Sequence, residues 1–325
     1  MLPKVISAEQ LIHAVCFDNN VIMAIENAFA SLANDAPVVM PPVMQISVAR
    51  HHGQTCVKSA YVPGASHFVV KLASTWHDNH LSGLPNSSGL MLACRSDTGR
   101  VDAILLDNGY LTALRTQAAG AVVAKYLSRE SSTVAGIIGA GRQAGLQLAA
   151  LLAVRPINKA RVWSPQLAQT TLFCEKMSAQ LGIDVQPVDR PELAVRGADI
   201  IVTATPAKQP IVQADWLSSG QHITAMGADA PGKSELFPDV LAKVTRYVAD
   251  NKQQCRTLSE LYMAQVSGKI TEDYPVIEIG DVIAGGKPGR LGDQDITLAD
   301  LTGLGVQDTA IAMLAMKQLG LCDIN

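Results

Sequence analysis

The sequence is poor in aromatic residues and in charge. Phe, Trp and Tyr make up 4% of its 325 residues and Asp, Glu, Lys and Arg 17%, against roughly 25% charged residues in an average chain. A hydrophobic content of 48% excludes a disordered segment, because it is enough to build a core. With 26 Lys and Arg against 29 Asp and Glu, the net charge is −3. There is no excess of positive charge to follow a phosphate backbone, so a nucleic-acid partner is not expected. No stretch approaches the ~18–20 apolar residues of a membrane span, and the opening MLPKVISAEQLIHAVCFD lacks the apolar run of a signal peptide. The six cysteines (Cys16, Cys56, Cys94, Cys174, Cys255, Cys322) show no CxxC and the seven histidines no HExxH. They read as free thiols of a reducing cytoplasm, with no metal site.

What is present has two textures. Ser7 with Gln10 three residues on forms a capping box, and Ile22, Ile25, Ala28 and Phe29 follow at helical spacing, predicting helix up to Leu32. Between Pro37 and Leu111, short β-rich pieces (VMQISVA, TCVKSAYV, HFVVKLAS, GLMLAC, VDAILLD) are broken by Gly, Pro, Asn and Asp, which predicts a mixed or antiparallel sheet. An Ala-rich helix follows over Leu111 to Leu127. From Ser131 the pattern alternates strand and helix: TVAGIIG, RQAGLQLAALLAV, ARVWS, SPQLAQTTLFCEKMSAQLG, DVQPV, RPELAVRGA, DIIVTAT, HITAMGA, TRYVADN. That rhythm predicts a parallel sheet covered on both faces. A last helix from Thr302 to Leu319 follows a Gly/Pro-rich stretch and is expected to pack back on the first part. The expected class is α/β: a Rossmann doubly wound parallel sheet over 128–301, and a smaller α+β domain made of 1–127 plus 302–325. The low charge is consistent with surface buried between subunits.

After TVAGII stand Gly139, Ala140, Gly141, Arg142, Gln143 and Ala144, then a helix. This is the GxGxxA dinucleotide fingerprint in its required strand-to-helix setting. Gly139 permits the tight turn, Gly141 lets the backbone approach a pyrophosphate, and Ala144 lets helix and strand pack closely. The acidic residue that usually grips the ribose 2′-hydroxyl ~20 residues on is missing; that position reads Val162, Trp163, Ser164, Pro165. Ser164 with Arg142 could meet a 2′-phosphate, which favours NADP(H), with NAD(H) as the other option.

Several polar residues interrupt apolar strands. Lys71 lies inside HFVVKLAS and Lys58 inside TCVKSAYV, and Arg115 opens the helix after LLDNGYLT. A lysine in an apolar strand needs a partner or a task, and Arg pairs with carboxylate bidentately, so these three cations fit an anionic substrate. Each alone also fits a solvated edge. Asp229 stands just past the apolar strand HITAMGA, where ligands of open α/β sheets bind, and could move a proton or merely cap a turn. Thr203 and Thr205 in VTATPA share that edge. Asp308 in GVQDTA fits a helix N-terminal acid, which needs no chemistry.

KLAS with GLP following, LLDNGYLTALRTQAAGAVVAKYL, IIGAGRQA, VTATPA, AMGADAPGKSEL, IEIGDVIAGGKPGR and TGLGVQDTAIA, in this order, resemble the ornithine cyclodeaminase/μ-crystallin family over almost the whole chain. The similarity extends to its bacterial cyclodeaminase-like branch, Δ1-pyrroline-2-carboxylate reductase-like or ectoine-utilisation-like. The resemblance implies a homodimer and makes the smaller domain the substrate-binding and dimerisation domain. It also implies that Lys71 and Arg115 bind substrate and that Asp229 is the catalytic acid. Gly139 to Ala144, Thr205 and Met226, Gly227 to Asp229 would contact the cofactor. Asn86 falls where many relatives have a threonine near the nicotinamide. MPPVMQIS lacks the further substrate arginine of many relatives; either Lys58 or Arg50 replaces its charge, or the substrate contacts differ.

The expected activity is NAD(P)H-dependent reduction of a small cyclic imino acid, Δ1-pyrroline-2-carboxylate to L-proline or Δ1-piperideine-2-carboxylate to L-pipecolate, with Asp229 and Lys71 as catalytic residues. Alternatives are ornithine or lysine cyclodeamination, an open-chain amino-acid dehydrogenase, and an NADPH-bearing crystallin-like binding protein.

Overall fold

The computed structural model describes residues 2–34 and 37–322. The chain divides into two compact units, Met1–Ala118 with Leu304–Asn325, and Ala119–Gly303. The division falls inside the helix Tyr110–Leu127 rather than at its end.

The first unit is built on a six-stranded sheet of β1 (Lys4–Ser7), β2 (Met44–Val48), β3 (Gly53–Ala60), β4 (His67–Trp76), β5 (Ser87–Arg95) and β6 (Val101–Leu106), in the order β1-β6-β5-β4-β3-β2. All pairs are antiparallel except β1 with β6. The short β1 has no independent signature, since four residues carry too little alternation to read. Ser7 and Gln10 do form the reciprocal capping box. The expected single helix to Leu32 is two helices, Ala8–Ala14 and Asn19–Ala30. The break runs from Val15 to Asp18, both with extended backbone, and the Asp18 carboxylate accepts the Val21 N–H at 3.0 Å to start the second helix.

One face of this sheet is covered by the closing helix Gly305–Gln318, against which Asn19–Ala30 packs. Val69, Met91, Ala93 and Leu105 are buried there, and Lys71 shares their face by strand alternation. Gly305 lets the closing helix approach β3: a Cβ at Gly305 would overlap the Ser59 carbonyl. Thr309 Oγ1 fastens the same helix by donating to the Ala60 carbonyl at 3.0 Å.

The second unit carries an eight-stranded sheet of β7 (Val134–Ile138), β8 (Lys159–Trp163), β9 (Asp184–Pro187), β10 (Ile200–Thr203), β11 (His222–Ala225), β12 (Arg246–Ala249), β13 (Ile277–Glu278) and β14 (Thr297–Asp300). Its order is β13-β12-β14-β11-β10-β7-β8-β9, parallel throughout. Helices cover both faces, so the strands read as apolar runs. Ala135 and Ile137 pack with Leu148, Leu151 and Met177 on one side; Ile138 packs with Trp216, Leu236 and Leu298 on the other. Strand order departs in opposite directions from β7 and β10, which makes their boundary the topological switch point. The Rossmann doubly wound architecture expected from the alternation is thus present. β14 was hidden in the sequence by its brevity and its Gly/Asp-rich approach.

Candidate functional site

In the first unit, the candidate side chains are placed by strand alternation and by a sharp turn. After β6 the chain turns through Asn108 and Gly109, both with positive φ (47° and 79°). Asp107 fixes that turn: its buried carboxylate accepts the Leu111 N–H at 3.0 Å. The helix Tyr110–Leu127 therefore starts at a set angle, and Arg115 on it is buried. Lys71 lies opposite Met91 on one side and Lys58 on the other.

Between Lys71 and Arg115 sits Asp308. Its Oδ1 accepts from Lys71 Nζ at 2.8 Å and lies 3.1 Å from Arg115 Nε. The second contact is an ion pair without hydrogen-bond alignment, for Arg115 Nε has no aligned acceptor. Arg115 Nη1 reaches Gln307 Oε1 at 3.4 Å. Lys71, Arg115 and Asp308 are 2%, 7% and 0% exposed, so this is a desolvated charge cluster rather than a surface pair. Asp308 Oδ2 is buried with no hydrogen-bond partner. Burial pushes the Lys71 ammonium down to about 7 from its ordinary 10.5; Asp308 opposes this, while Arg115 and Lys58 add to it. Burial alone would raise the Asp308 carboxyl, but Lys71 and Arg115 outweigh it and hold Asp308 below the ordinary carboxylate range. Two cations and one carboxylate leave one net positive charge, with the half-buried Lys58 alongside. That is a charge matched to one substrate carboxylate.

Asp308 therefore does more than serve a helix N-terminus. Sequence reading missed its partnership because Lys71 and Asp308 are 237 residues apart. Asn86 lies in the turn between β4 and β5, where its Oδ1 accepts the His80 N–H at 3.0 Å.

In the second unit, the glycine turn follows β7. Gly139 has φ 119°, and a Cβ on it would lie 2.8 Å from the Ala204 carbonyl. A Cβ on Gly141 would meet nothing within 4 Å. Gly141 caps the helix Arg142–Val154 with no side-chain hydrogen bond, which leaves the first-turn N–H groups uncapped. Ala144 is fully buried against the strand. An open approach, uncapped donors and a helix N-terminus are what a pyrophosphate needs, so these residues fit a dinucleotide. Arg142 is exposed. Ser164 Oγ lies 2.5 Å from Thr170 Oγ1, and Thr170 Oγ1 in turn donates to the Gln166 carbonyl. The Ser164 proton is thereby directed to Thr170, which leaves its oxygen as an acceptor.

Thr203 ends β10, Thr205 lies in the loop after it, and Met226, Gly227 and Asp229 follow β11. Asp229 is exposed and ion-paired with Lys233 at 2.6 Å, four residues on across a turn. Lys233 was not singled out in the sequence, because its pairing with Asp229 depends on the fold of the loop. Among the described residues, no group of three or more His, Cys, Asp and Glu could hold a metal ion, and no helix is long and apolar enough to cross a membrane.

Residues 3–319 match the profile of the ornithine cyclodeaminase/mu-crystallin family. A Sinorhizobium fredii protein named as an uncharacterized cyclodeaminase is 46% identical over 315 residues, 97% of this chain and 95% of that one. The solved Δ1-pyrroline-2-carboxylate reductase of Thermococcus litoralis, in complex with NADH and L-proline, superposes with TM-score 0.91 at 32% identity, covering 97% of both chains. An archaeal alanine dehydrogenase dimer with bound NAD gives TM-score 0.90 at 33% identity, covering 98% of this chain and 96% of that one.

Proposed function

Since the chain belongs to the ornithine cyclodeaminase/mu-crystallin family, and is an NAD(P)-dependent oxidoreductase of C=N or CH–NH bonds, we propose that it reduces a small cyclic imino acid. The first-choice reaction is Δ1-pyrroline-2-carboxylate to L-proline, with Δ1-piperideine-2-carboxylate to L-pipecolate as its six-membered counterpart. The observation that carries this reading is the buried Lys71–Asp308–Arg115 cluster, with one positive charge to spare for a single carboxylate. A reduced nicotinamide, when bound, supplies hydride to the imine carbon. Arg115 and Lys71, supported by Lys58, hold the substrate carboxylate. Asp229, directly or through water, serves the protonation of the imine nitrogen, because an iminium accepts hydride far better than a neutral imine. Lys71, with its depressed pKa, is the second candidate for that proton. Hydride and proton together convert C=N to CH–NH with no further reactant.

Gly139 to Ala144, Thr205, Met226 and Gly227 would hold the cofactor, and Asn86 orders the turn assigned to the nicotinamide side. NADP(H) preference rests on the missing acid at Ser164 and on exposed Arg142; the Ser164 proton, directed to Thr170, adds nothing to a phosphate site. NAD(H) is the second reading, favoured by the two solved relatives that hold NADH and NAD. Titrating both reduced cofactors by fluorescence decides this, and a clear NADH preference rejects the first choice.

Cyclodeamination is the competing reaction, favoured by the name of the Sinorhizobium relative. An open-chain amino-acid dehydrogenase is favoured by the archaeal alanine dehydrogenase. Mixing the enzyme with NADPH or NADH and chemically made pyrroline-2-carboxylate should oxidise the cofactor, read at 340 nm. No oxidation, with ammonia released from ornithine, would select the cyclodeaminase; amination of pyruvate would select the dehydrogenase.

The same reading includes a homodimer. The sheet face of the first unit that no helix of the described residues covers is apolar: Val5, Met44, Ile46 and Leu72 are 58%, 54%, 52% and 38% exposed, and register aligns Leu72 with Leu90 and Val70 with Leu92. A second copy of this chain would cover it. A reducing cytoplasmic setting is proposed from six cysteines that are all unbridged.

A further inference from the structure

Glu235 lies in the loop that follows β11 and is fully buried. Its carboxylate is the meeting point of two loops. Oε1 accepts the Thr205 N–H at 2.6 Å and the Thr205 hydroxyl at 2.7 Å. Oε2 accepts the Thr203 hydroxyl at 2.7 Å and the Gly227 N–H at 2.8 Å. The loops leave adjacent parallel strands, β10 and β11, at their carboxyl ends, where ligands of doubly wound sheets bind. A third turn joins them, because the Ala204 carbonyl lies against Gly139 of the dinucleotide fingerprint.

The backbone around Glu235 is equally committed. Its N–H donates to the buried Glu260 at 2.7 Å, and its carbonyl accepts from Ile211 and Val212. Glu260 also accepts from Ser234 Oγ and the Leu236 N–H. Gly227 has to be glycine, since a Cβ there would overlap both the Glu235 carboxyl and the Thr205 carbonyl. Four donors converge on one carboxylate, and two of them are backbone N–H groups that cannot reverse. Such an arrangement holds position more strictly than apolar packing, because each lost bond leaves a buried donor unmet.

We propose that Glu235 is a positioning residue for the dinucleotide: it sets the spacing of the Thr203–Ala207 and Met226–Asp229 loops against the glycine turn, without touching the cofactor itself. This rests on the dinucleotide reading of Gly139 to Ala144. Its role is distinct from that of the Lys71–Asp308–Arg115 cluster, so cofactor binding and, through Asp229, turnover should suffer while imino-acid binding does not.

The test is Glu235→Gln, which keeps size and shape. Whichever way the amide turns, its NH2 faces a backbone N–H, that of Thr205 or that of Gly227. The dissociation constant for NADH, read by fluorescence well below the melting temperature, should rise tenfold or more. The KM for the cofactor should rise with it, while the KM for the imino acid stays within twofold. Thr203→Val guards against a variant that does not fold. Thr203 is buried and only feeds one proton to Glu235, so its loss should raise the NADH constant about threefold. Wild-type affinity in both variants overturns the proposal, as does an equal rise in both KM values. A wild-type protein that binds neither NADH nor NADPH overturns the dinucleotide reading instead.

Discussion

Lys71 shows how one residue's surroundings set its chemistry. Desolvation lowers its pKa from 10.5 to about 7, with Asp308 only partly restoring the charged form. Between those two values the unfolded chain binds a proton that the folded chain does not, so this residue's contribution to stability rises with pH across that window. Ligand binding runs the other way. The affinity for a flat cyclic anion such as pyrrole-2-carboxylate should fall as pH rises from about 7, because the ammonium that meets the carboxylate is being lost. Lys71→Met should bind more weakly at pH 6 and lack that fall; a wild-type profile that is flat to pH 9 would remove Lys71 from the carboxylate site. The sequence marked Lys71 and Arg115 because a cation in an apolar run is conspicuous. Asp308, which joins them, stands in an unremarkable helix start, and no local pattern links it to a strand residue so far away. Glu235 was silent for the same reason: its four partners come from two other segments.

At the scale of elements, legibility followed locality. The glycine turn, its helix Arg142–Val154 and the Ser7 capping box depend on neighbours within a few positions, and the structure has them where the sequence put them. The helix break from Val15 to Asp18 and strands β1 and β14 depend on tertiary pairing or on few residues, and were not readable. Close backbone approach is another tertiary property. Gly136 in β7 faces the helix Pro191–Val195, and a Cβ there would overlap the Ala194 carbonyl. Backbone cannot rotate aside as a side chain can, so Gly136→Ala should cost about 1–3 kcal/mol, the range for overpacked cores. Urea denaturation followed by circular dichroism measures it; a loss under about 0.5 kcal/mol, the level of an ordinary surface change, would mean that the helix and strand part freely.

For the whole molecule, the question is what the bare sheet face of the first unit does. An apolar face of this kind marks an interaction site or an aggregation hazard. If a second copy covers it, light scattering should return twice the 34.4 kDa chain mass. Leu72→Lys, which sets a charge at its centre, should shift the mass toward a single chain. A wild-type protein of single-chain mass at micromolar concentration would reject the dimer. The composition's low charge fits this face in part, since a surface covered by its own copy has no need of ions.

The closing helix has a consequence for how the chain is made. Lys71 leaves the ribosome 237 residues before Asp308, an interval of roughly ten to fifty seconds at ~5–20 residues per second. Throughout it the nascent unit holds Lys71 and Arg115, two cations bound for a dry interior, without the Asp308 that joins them, and one face of its sheet waits for Gly305–Gln318. The second unit is contiguous and can fold on emergence, whereas the first must be kept open until its distant segment appears. Synthesis order therefore runs against folding order, and the unit begun first is the one completed last.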